Sequence, residues 1–510
     1  MPTASQTRSA RRRVHRADRA ERRAEREERL IFGVPERFMR PRLVLLVAVG
    51  ILAAFGVLMV YSASSVSALN STGDAAYYLK RQLMFLAVGV VIAVVLAVLD
   101  YRIWAKTFLL PIWVVTVILL AVVIFAGTDN DMGATRWINL GFFDLQPSEF
   151  AKITVIFTAA NVAESYFEEG TIDWSTFVKL LFVGVAVPVG LIIIQPDKGS
   201  TLVIGLTLIV MGYLAGMPKR FLVGLLIFGA VAFLALSLKD DYSRQRLLTM
   251  LDPWQDPYGT GYQLIQGFYA FGSGGLLGVG LGFSRQKYSY LPMAHNDFIF
   301  AIIGEECGLV GTLGLLAGFA VFMWAGFQIA RYAPDLCGRL VAAGCTSLVI
   351  IQLLLNVCGV LGLFPLSGKP IPFVSYGGSS IIASMMLVGL IASVSMHSSL
   401  PETSHDSARR SWQIENAAQG RAGLSVVDGA APRASRAAER TERPRPAGGG
   451  FTVVEGGARG GSSRTSSRAD RTRGRGGGRG GSSAGRRRID LGPSASERLR
   501  GGRRGGPKNR

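Results

Sequence analysis

Apolar residues in this chain come in ten runs separated by short polar stretches, at roughly 43–62, 82–99, 108–127, 148–164, 177–195, 200–216, 220–238, 298–330, 338–363 and 373–396. Most are close to the ~20 residues a helix needs to cross ~30 Å of hydrocarbon. Backbone in lipid must hydrogen-bond within its own segment, so each run predicts a membrane helix. The fourth is the least apolar, because it carries Glu149, Lys152 and Asn161. The eighth is long enough to tilt or to extend beyond the bilayer. The pattern predicts an all-α polytopic membrane protein with about ten transmembrane helices.

The polar stretches between the runs set the orientation. Arg102 and Lys106, Lys219 and Arg220, and Arg331 and Arg339 fall on the same side as the Arg-rich N-terminus. The excess of bases marks that side as cytoplasmic. An even number of spans puts both termini there. Segments 63–81, 128–147, 195–199, 239–297 and 364–372 then face outward. The first run is too long for the apolar part of a signal peptide and is expected to remain as an anchor.

Charge divides the chain into three parts. Residues 1–42 hold 13 Arg and 6 acids, and residues 397–510 hold 23 Arg, one Lys and 10 acids. The body over 43–396 is nearly neutral, so the overall +20 lies in the tails. The arm RRRVHRADRAERRAEREER has charges at helical spacing, which suits a solvated helix beside anionic lipid. The Gly/Ser/Arg/Ala-rich tail cannot bury enough apolar surface to offset chain entropy and is expected to be disordered. Its RGRGGGRGG stretch is of a kind that binds RNA, but a flexible tail near anionic lipid is the preferred reading, and nucleic acid is not an expected partner. Cys307, Cys337, Cys345 and Cys358 have no metal-ligand spacing and read as small buried hydrophobes.

Candidate chemistry gathers on the outward side in five clusters. GATRWINLG brings Arg136, and QPSEFAK brings Glu149 and Lys152, three apart and so on one helix face. QPDKGS brings Asp197 and Lys198. YLPMAHNDFIFAIIGEE brings His295 and Asp297, then Glu305 and Glu306. FPLSGKPIPFVSYGGSS brings Ser375 and Ser379 in irregular backbone that must lie against protein or a wet cavity. Each cluster has a structural explanation by itself: a snorkelling base, a self-neutralising pair, or an N-cap in the case of Asp297. Together they predict a polar cavity opening outward. Asp297 at the mouth of a helix is placed to accept a proton, and Glu305, eight residues on, lies near the same face.

In GATRWI, QPSEFAK, QPDKGS, LDPWQDPYGTGYQLIQ, AHNDFIFAIIGEECGLVG and PIPFVSYGGSS, in this order, the chain resembles the SEDS family (shape, elongation, division and sporulation) over residues 43–396. The resemblance implies a ten-helix, GT-C-like fold that polymerises lipid II, the undecaprenyl-pyrophosphate-linked disaccharide pentapeptide, outside the membrane. It implies a class B penicillin-binding transpeptidase as partner, with other divisome membrane proteins. It places the catalytic aspartate on Asp297 and further cavity residues on Arg136, Glu149, Lys152 and Asp197. The large loop is most similar to septal, FtsW-like members, and the basic tail suits an actinobacterial one; the lateral-wall RodA branch is the alternative. Met293 stands where the family usually has Glu, and Lys198 and Lys369 stand where apolar residues are common.

That chemistry is a single inverting displacement, which needs a base on the attacking hydroxyl and no carboxylate nucleophile. The leaving pyrophosphate needs positive charge, for which Arg136, Lys152, Lys198 and Lys369 are candidates, or the N–H groups of SYGGSS. A divalent cation, magnesium or manganese, held by Asp297 or a neighbouring acid is a further expectation. A lipid II transporter and a non-catalytic scaffold are the rival classes. The absence of an evident internal repeat and the one-sided placement of the clusters count against transport.

Overall fold

All ten apolar runs form helices, and what varies is how each is covered. The computed structural model describes residues 30–31, 34–129, 135–139, 141 and 144–398, all within one unit, Met1–Leu424. Nearly all of the basic arm and almost the whole tail, including the second unit Ser425–Arg510, lie outside the described residues, and so do the expectations that fall on them.

The membrane helices are α1 (Glu36–Thr72), α2 (Tyr77–Val98), α3 (Leu109–Ala126), α4 (Pro147–Phe167), α5 (Trp174–Leu181) continued through a π-helical turn into α6 (Val187–Ile194), α7 (Lys198–Leu214) and α8 (Lys219–Lys239). The loop 239–297 is itself folded around α9 (Asp241–Leu251) and α10 (Tyr262–Gly274). Then follow α11 (Ile299–Arg331), α12 (Leu336–Val360) and α13 (Gly378–Met396). Two short sheets are added, β1 (Leu30–Ile31) with β2 (Val34–Pro35) before α1 and the antiparallel β3 (Thr128–Asp129), β4 (Thr135–Asn139) and β5 (Asp144–Leu145) before α4. Among the described residues, seven helices are long and apolar enough to cross a membrane, with α3 and α7 shorter but apolar. α4 is the polar one for a physical reason. It is buried among its neighbours along most of its length, so its charged residues meet protein and not lipid.

Both described ends of the membrane body leave at one end of the bundle. Arg42 at the start of α1 donates to the Ser395 carbonyl at the end of α13, at 2.6 Å. At this end Arg102 pairs with Asp335 at 2.7 Å and Lys106 with the buried Glu164. Asp335 precedes α12, and Asn356 lies about 30 Å further along it, at 1.5 Å per residue. The bases that set the orientation are therefore a bilayer's width from the polar clusters.

Two departures from the sequence reading matter. α1 starts before residue 43 and runs on to Thr72, about 55 Å in all, so the first outward segment is largely helical. α11 is broken at Gly308, where φ is 66° and ψ −165°. Its outer part, Ile299–Cys307, is a half-helix. The backbone groups freed by the break are taken up by the loop after α10: Leu309 and Val310 donate to the carbonyls of Gly275 (3.0 Å) and Leu276 (3.1 Å). In return Val279 and Gly280 donate to those of Glu305 (2.9 Å) and Glu306 (3.0 Å). The Glu305 and Glu306 side chains both reach the stretch 284–287. Glu305 accepts from the Arg285 N–H at 2.9 Å, and Glu306 accepts from Ser62 Oγ and pairs with Lys287 at 3.5 Å. They fasten a loop, so Glu305, which residue count places near the face of Asp297, serves the fold.

The break requires glycine. A Cβ on Gly308 would fall 2.4 Å from the Gly278 nitrogen, and its φ/ψ pair is one that side chains avoid, at about 1–3 kcal/mol. Gly308→Ala is expected to lower the thermal unfolding midpoint in detergent by several degrees. Gly314→Ala, six residues on, where nothing lies within 4 Å of the added Cβ, is expected to leave it unchanged or raise it.

Candidate active site

The site is built at the end of the bundle where the five clusters meet. α4 starts the arrangement. Its Pro147 opens the helix, and Glu149 and Lys152 one turn apart form a fully buried pair, Nζ to Oε2 2.7 Å. Lys152 also donates to Gln352 Oε1 at 2.8 Å. Lys369, from the irregular stretch before α13, lies 3.9 Å from Glu149 Oε1 and 2.8 Å from Asp197 Oδ2. Asp197 caps α7 through the Ser200 N–H at 3.1 Å and accepts from Ser148 Oγ at 2.9 Å. The charges thus alternate, Lys152, Glu149, Lys369, Asp197, and all four side chains are at most 3% exposed. Burial alone would raise the Asp197 carboxyl; Lys369 and Arg136 outweigh it and hold the group well below the usual carboxylate range.

α12 supplies the frame. Gln352 and Asn356, four apart on its buried face, pin the loops from beneath. Gln352 donates to the Pro370 carbonyl at 2.9 Å. Asn356 donates to both the Asp297 and the Lys369 carbonyls, each at 2.8 Å. A single amide therefore fixes the backbone of Asp297 relative to the loop that carries Lys369.

Asp297 sits above this frame, half-buried, two residues before α11. It is not the N-cap: that position is Phe298, and no side chain caps the helix. The carboxylate faces Gly368, where an added Cβ would be 3.5 Å from Asp297 Oδ2 and 3.7 Å from Arg246 Nη1. Burial raises the Asp297 pKa above the ordinary value; Arg246, Lys369 and Arg136 oppose that rise. Arg246 is anchored by the Leu366 carbonyl at 2.6 Å and by the ring of Tyr242, 4.5 Å from its guanidinium carbon.

Asp297 opens on a cavity of about 230 Å³. Trp137, Asp144 and Gln146 line one part of its wall, and Arg81 and Tyr376 another. Gly377 to Ser380, at the start of α13, also line it. The first-turn N–H groups of a helix have no partner within the helix and favour an anion. Ser379 holds this corner, donating to the Asp144 carbonyl at 2.8 Å and accepting from the Gln146 N–H at 3.1 Å. Arg81 lies over the rings of Tyr77 and Phe85.

Asp297 and Ser379 are thus the expected residues that line the cavity. Arg136, which donates to the Pro196 carbonyl at 2.7 Å, and Asp197, Glu149 and Lys152 are not among the residues that line it. Three other expected residues are not among those lining the cavity. Lys198 Nζ is engaged by Asp240 (3.1 Å), Ser243 (2.6 Å) and the Leu236 carbonyl (3.0 Å), which tie α7 to the α8–α9 junction. His295 packs between Tyr78 and Tyr376, ring centroids 4.5 and 5.6 Å away, and burial pushes its pKa down to about 4. Ser375 Oγ accepts from the Ile371 N–H at 2.9 Å and shapes its own loop. Met293, at positive φ in an exposed turn, donates no charge to the site.

Arg246, Arg81, Asn356 and Gln352 were missed. An amide pair four apart in the ninth apolar run was a usable signal. The two arginines were not distinguishable from ordinary loop and helix-end bases.

The cell cycle protein family that takes in FtsW, RodA and SpoVE matches residues 42–400. The chain is 40% identical over 366 residues to a probable peptidoglycan glycosyltransferase FtsW of Trichlorobacter lovleyi, covering 72% of this chain and 96% of that protein. It is 40% identical over 360 residues to the stage V sporulation protein E of Bacillus subtilis, covering 70% and 98%. Among solved structures it is similar to a chain of a peptidoglycan synthase complex that coordinates polymerization and crosslinking, with TM-score 0.56, 30% identity, and 70% and 98% coverage. The Thermus thermophilus rod shape determining protein RodA is also similar, with TM-score 0.52, 27% identity, and 70% and 97% coverage.

The buried ladder makes a contrast between two lysines. Lys369→Met leaves Asp197 and Glu149 short of a partner and is expected to cost about 3–5 kcal/mol. Lys198→Met, at a partly exposed pair, is expected to cost under about 1 kcal/mol. Thermal unfolding of both variants in the same detergent checks this; equal stability would contradict the ladder.

Proposed function

Because the chain belongs to the FtsW, RodA and SpoVE family of cell cycle proteins, we propose that this multi-pass membrane protein is a peptidoglycan glycosyltransferase that polymerises lipid II at the outer membrane face. The observation that carries this reading is Asp297: one carboxylate, opposed by three cationic side chains, at the mouth of a polar cavity.

The donor sugar is α-linked to a lipid pyrophosphate, and the new bond is β-1,4. One inversion means one displacement. Asp297 takes the proton from the attacking 4-hydroxyl, help worth about 10²–10⁴-fold. The leaving pyrophosphate meets the N–H groups of Gly378 to Ser380 and the Arg81 guanidinium, which line the same cavity. Of the bases expected there, Lys152 bonds to Glu149 and Gln352 and Lys198 to Asp240, away from the cavity lining, whereas Arg81, which donates to Tyr77 Oη at 2.8 Å, lines it. At about 230 Å³ the cavity is smaller than the ~300–1,000 Å³ of sites that enclose drug-sized ligands, so the reacting ends enter and the peptide stays outside. A dedicated protein cage for magnesium or manganese is not what these residues offer: among the described residues no three His, Cys, Asp or Glu cluster to hold an ion, and three cations already oppose Asp297. An ion brought by the substrate's pyrophosphate would need only one carboxylate, for which Asp297 is the candidate. No step is routed through a metal. A class B penicillin-binding transpeptidase is the natural partner, and septal wall synthesis is the cellular role that the FtsW-named relatives favour.

Purified protein with its transpeptidase partner, supplied with labelled lipid II, is expected to make polymer. Asp297→Asn, nearly isosteric, is expected to slow polymerisation about 10²–10⁴-fold at equal folded protein. Polymer at the normal rate from this variant would remove Asp297 from the chemistry. Lipid II moved across vesicles without polymer would favour transport.

A further inference from the structure

The loop after α10 carries a set of large apolar side chains that cover nothing. Leu276 is 69% exposed, Leu277 79%, Leu281 53% and Phe283 74%. Exposed apolar groups gathered in one segment mark an interaction surface. The loop is not free to fold them away, because it is bonded at both edges to the break in α11. Gly278 is locked as well: an added Cβ would lie 2.2 Å from the Glu306 carbonyl oxygen.

The break also fixes the loop's height. Leu309 and Val310, which donate to its carbonyls, are 49% and 61% exposed and begin the outward-facing apolar surface of a membrane helix. From Leu309 to Arg331 the helix rises about 33 Å, and about 31 Å at a ~20° tilt. With Arg331 at the inner boundary of a ~30 Å hydrocarbon layer, Leu309 lies at the outer boundary. The loop's apolar side chains continue that surface at the same depth. Tyr288 and Tyr290, both more than half exposed, follow in the chain, as aromatic residues do at a membrane–water boundary. From 257 to 296 the sequence contains no acid.

We propose that residues 276–283 form a lip that inserts into the outer leaflet at the headgroup–acyl boundary, its occupant being lipid. The lip is joined through Glu305 and Glu306 to the half-helix Ile299–Cys307, two residues from Asp297. It therefore sets the height of that carboxylate above the hydrocarbon. This rests on the geometry of the loop and would stand if the proposed chemistry failed.

The test is depth measurement with nitroxide labels in vesicles of three parts phosphatidylcholine to one part phosphatidylglycerol. Leu277→Cys and Phe283→Cys are labelled separately, with Tyr258→Cys, 93% exposed, as the water-side control. Protein carrying only its native cysteines gives the background. Labels at 277 and 283 are expected to relax more with oxygen than with a water-soluble nickel chelate, and the label at 258 the reverse. Labels at 277 and 283 that behave like the one at 258 would overturn the proposal. So would labels shielded from both reagents, which would mean that protein covers the lip.

Discussion

The structure depends on neutralising charge where water is scarce. Four ionisable side chains, Lys152, Glu149, Lys369 and Asp197, are packed between helices with almost no exposure. An isolated charge there costs several kcal/mol, and removing one partner of a pair about 3–5 kcal/mol. Alternation of sign along the row keeps every member adjacent to its opposite. The row spans three separate parts of the chain, the start of α4, the cap of α7 and the loop before α13. Satisfying the charges therefore fixes those three parts relative to one another. Such a network is a poor source of net stability compared with an apolar core. What it supplies is a single arrangement at the end of the bundle where the cavity opens.

Upon that arrangement Asp297 is held by its backbone and left free at its carboxylate. The Asn356 amide grips the main chain of Asp297 and of Lys369 together. The Arg246 guanidinium is grasped by a carbonyl and a ring, which leaves its charge to act across Gly368. A carboxyl in such a place is pulled two ways: burial favours the acid, the cations favour the base. A general base works best when these nearly cancel, because a carboxylate that is too well stabilised takes up no proton.

Much of this was legible in the sequence, and the limits are physical. Ten apolar runs gave ten helices, because lipid leaves backbone no alternative. The five outward clusters do converge, since polar groups in a membrane body have few places to go. Glu149 and Lys152 read as a pair because helix geometry makes neighbours of residues three apart. The failures concern direction. Lys198 and Lys369 looked alike in outward turns; one faces α9 and the other the buried row, and only packing decides that. Glu305 lies near the helical face of Asp297 by residue count, but the break at Gly308 draws its half-helix onto the loop. Arg246 and Arg81 carried no local signal, because a base near a membrane surface is ordinary.

The most direct measurement is the pH dependence of kcat/KM for polymerisation, in the native protein and in Arg246→Gln. With Asp297 as the proposed base, activity requires its carboxylate; its pKa in the folded protein is raised, so activity is expected to fall on the acid side at a pH above the ordinary carboxylate value of ~4. Arg246 opposes that rise, so its loss should move the acid limb to higher pH. An acid limb at the ordinary carboxylate value, or one that stays in place when Arg246 is replaced, would contradict Asp297 as the base.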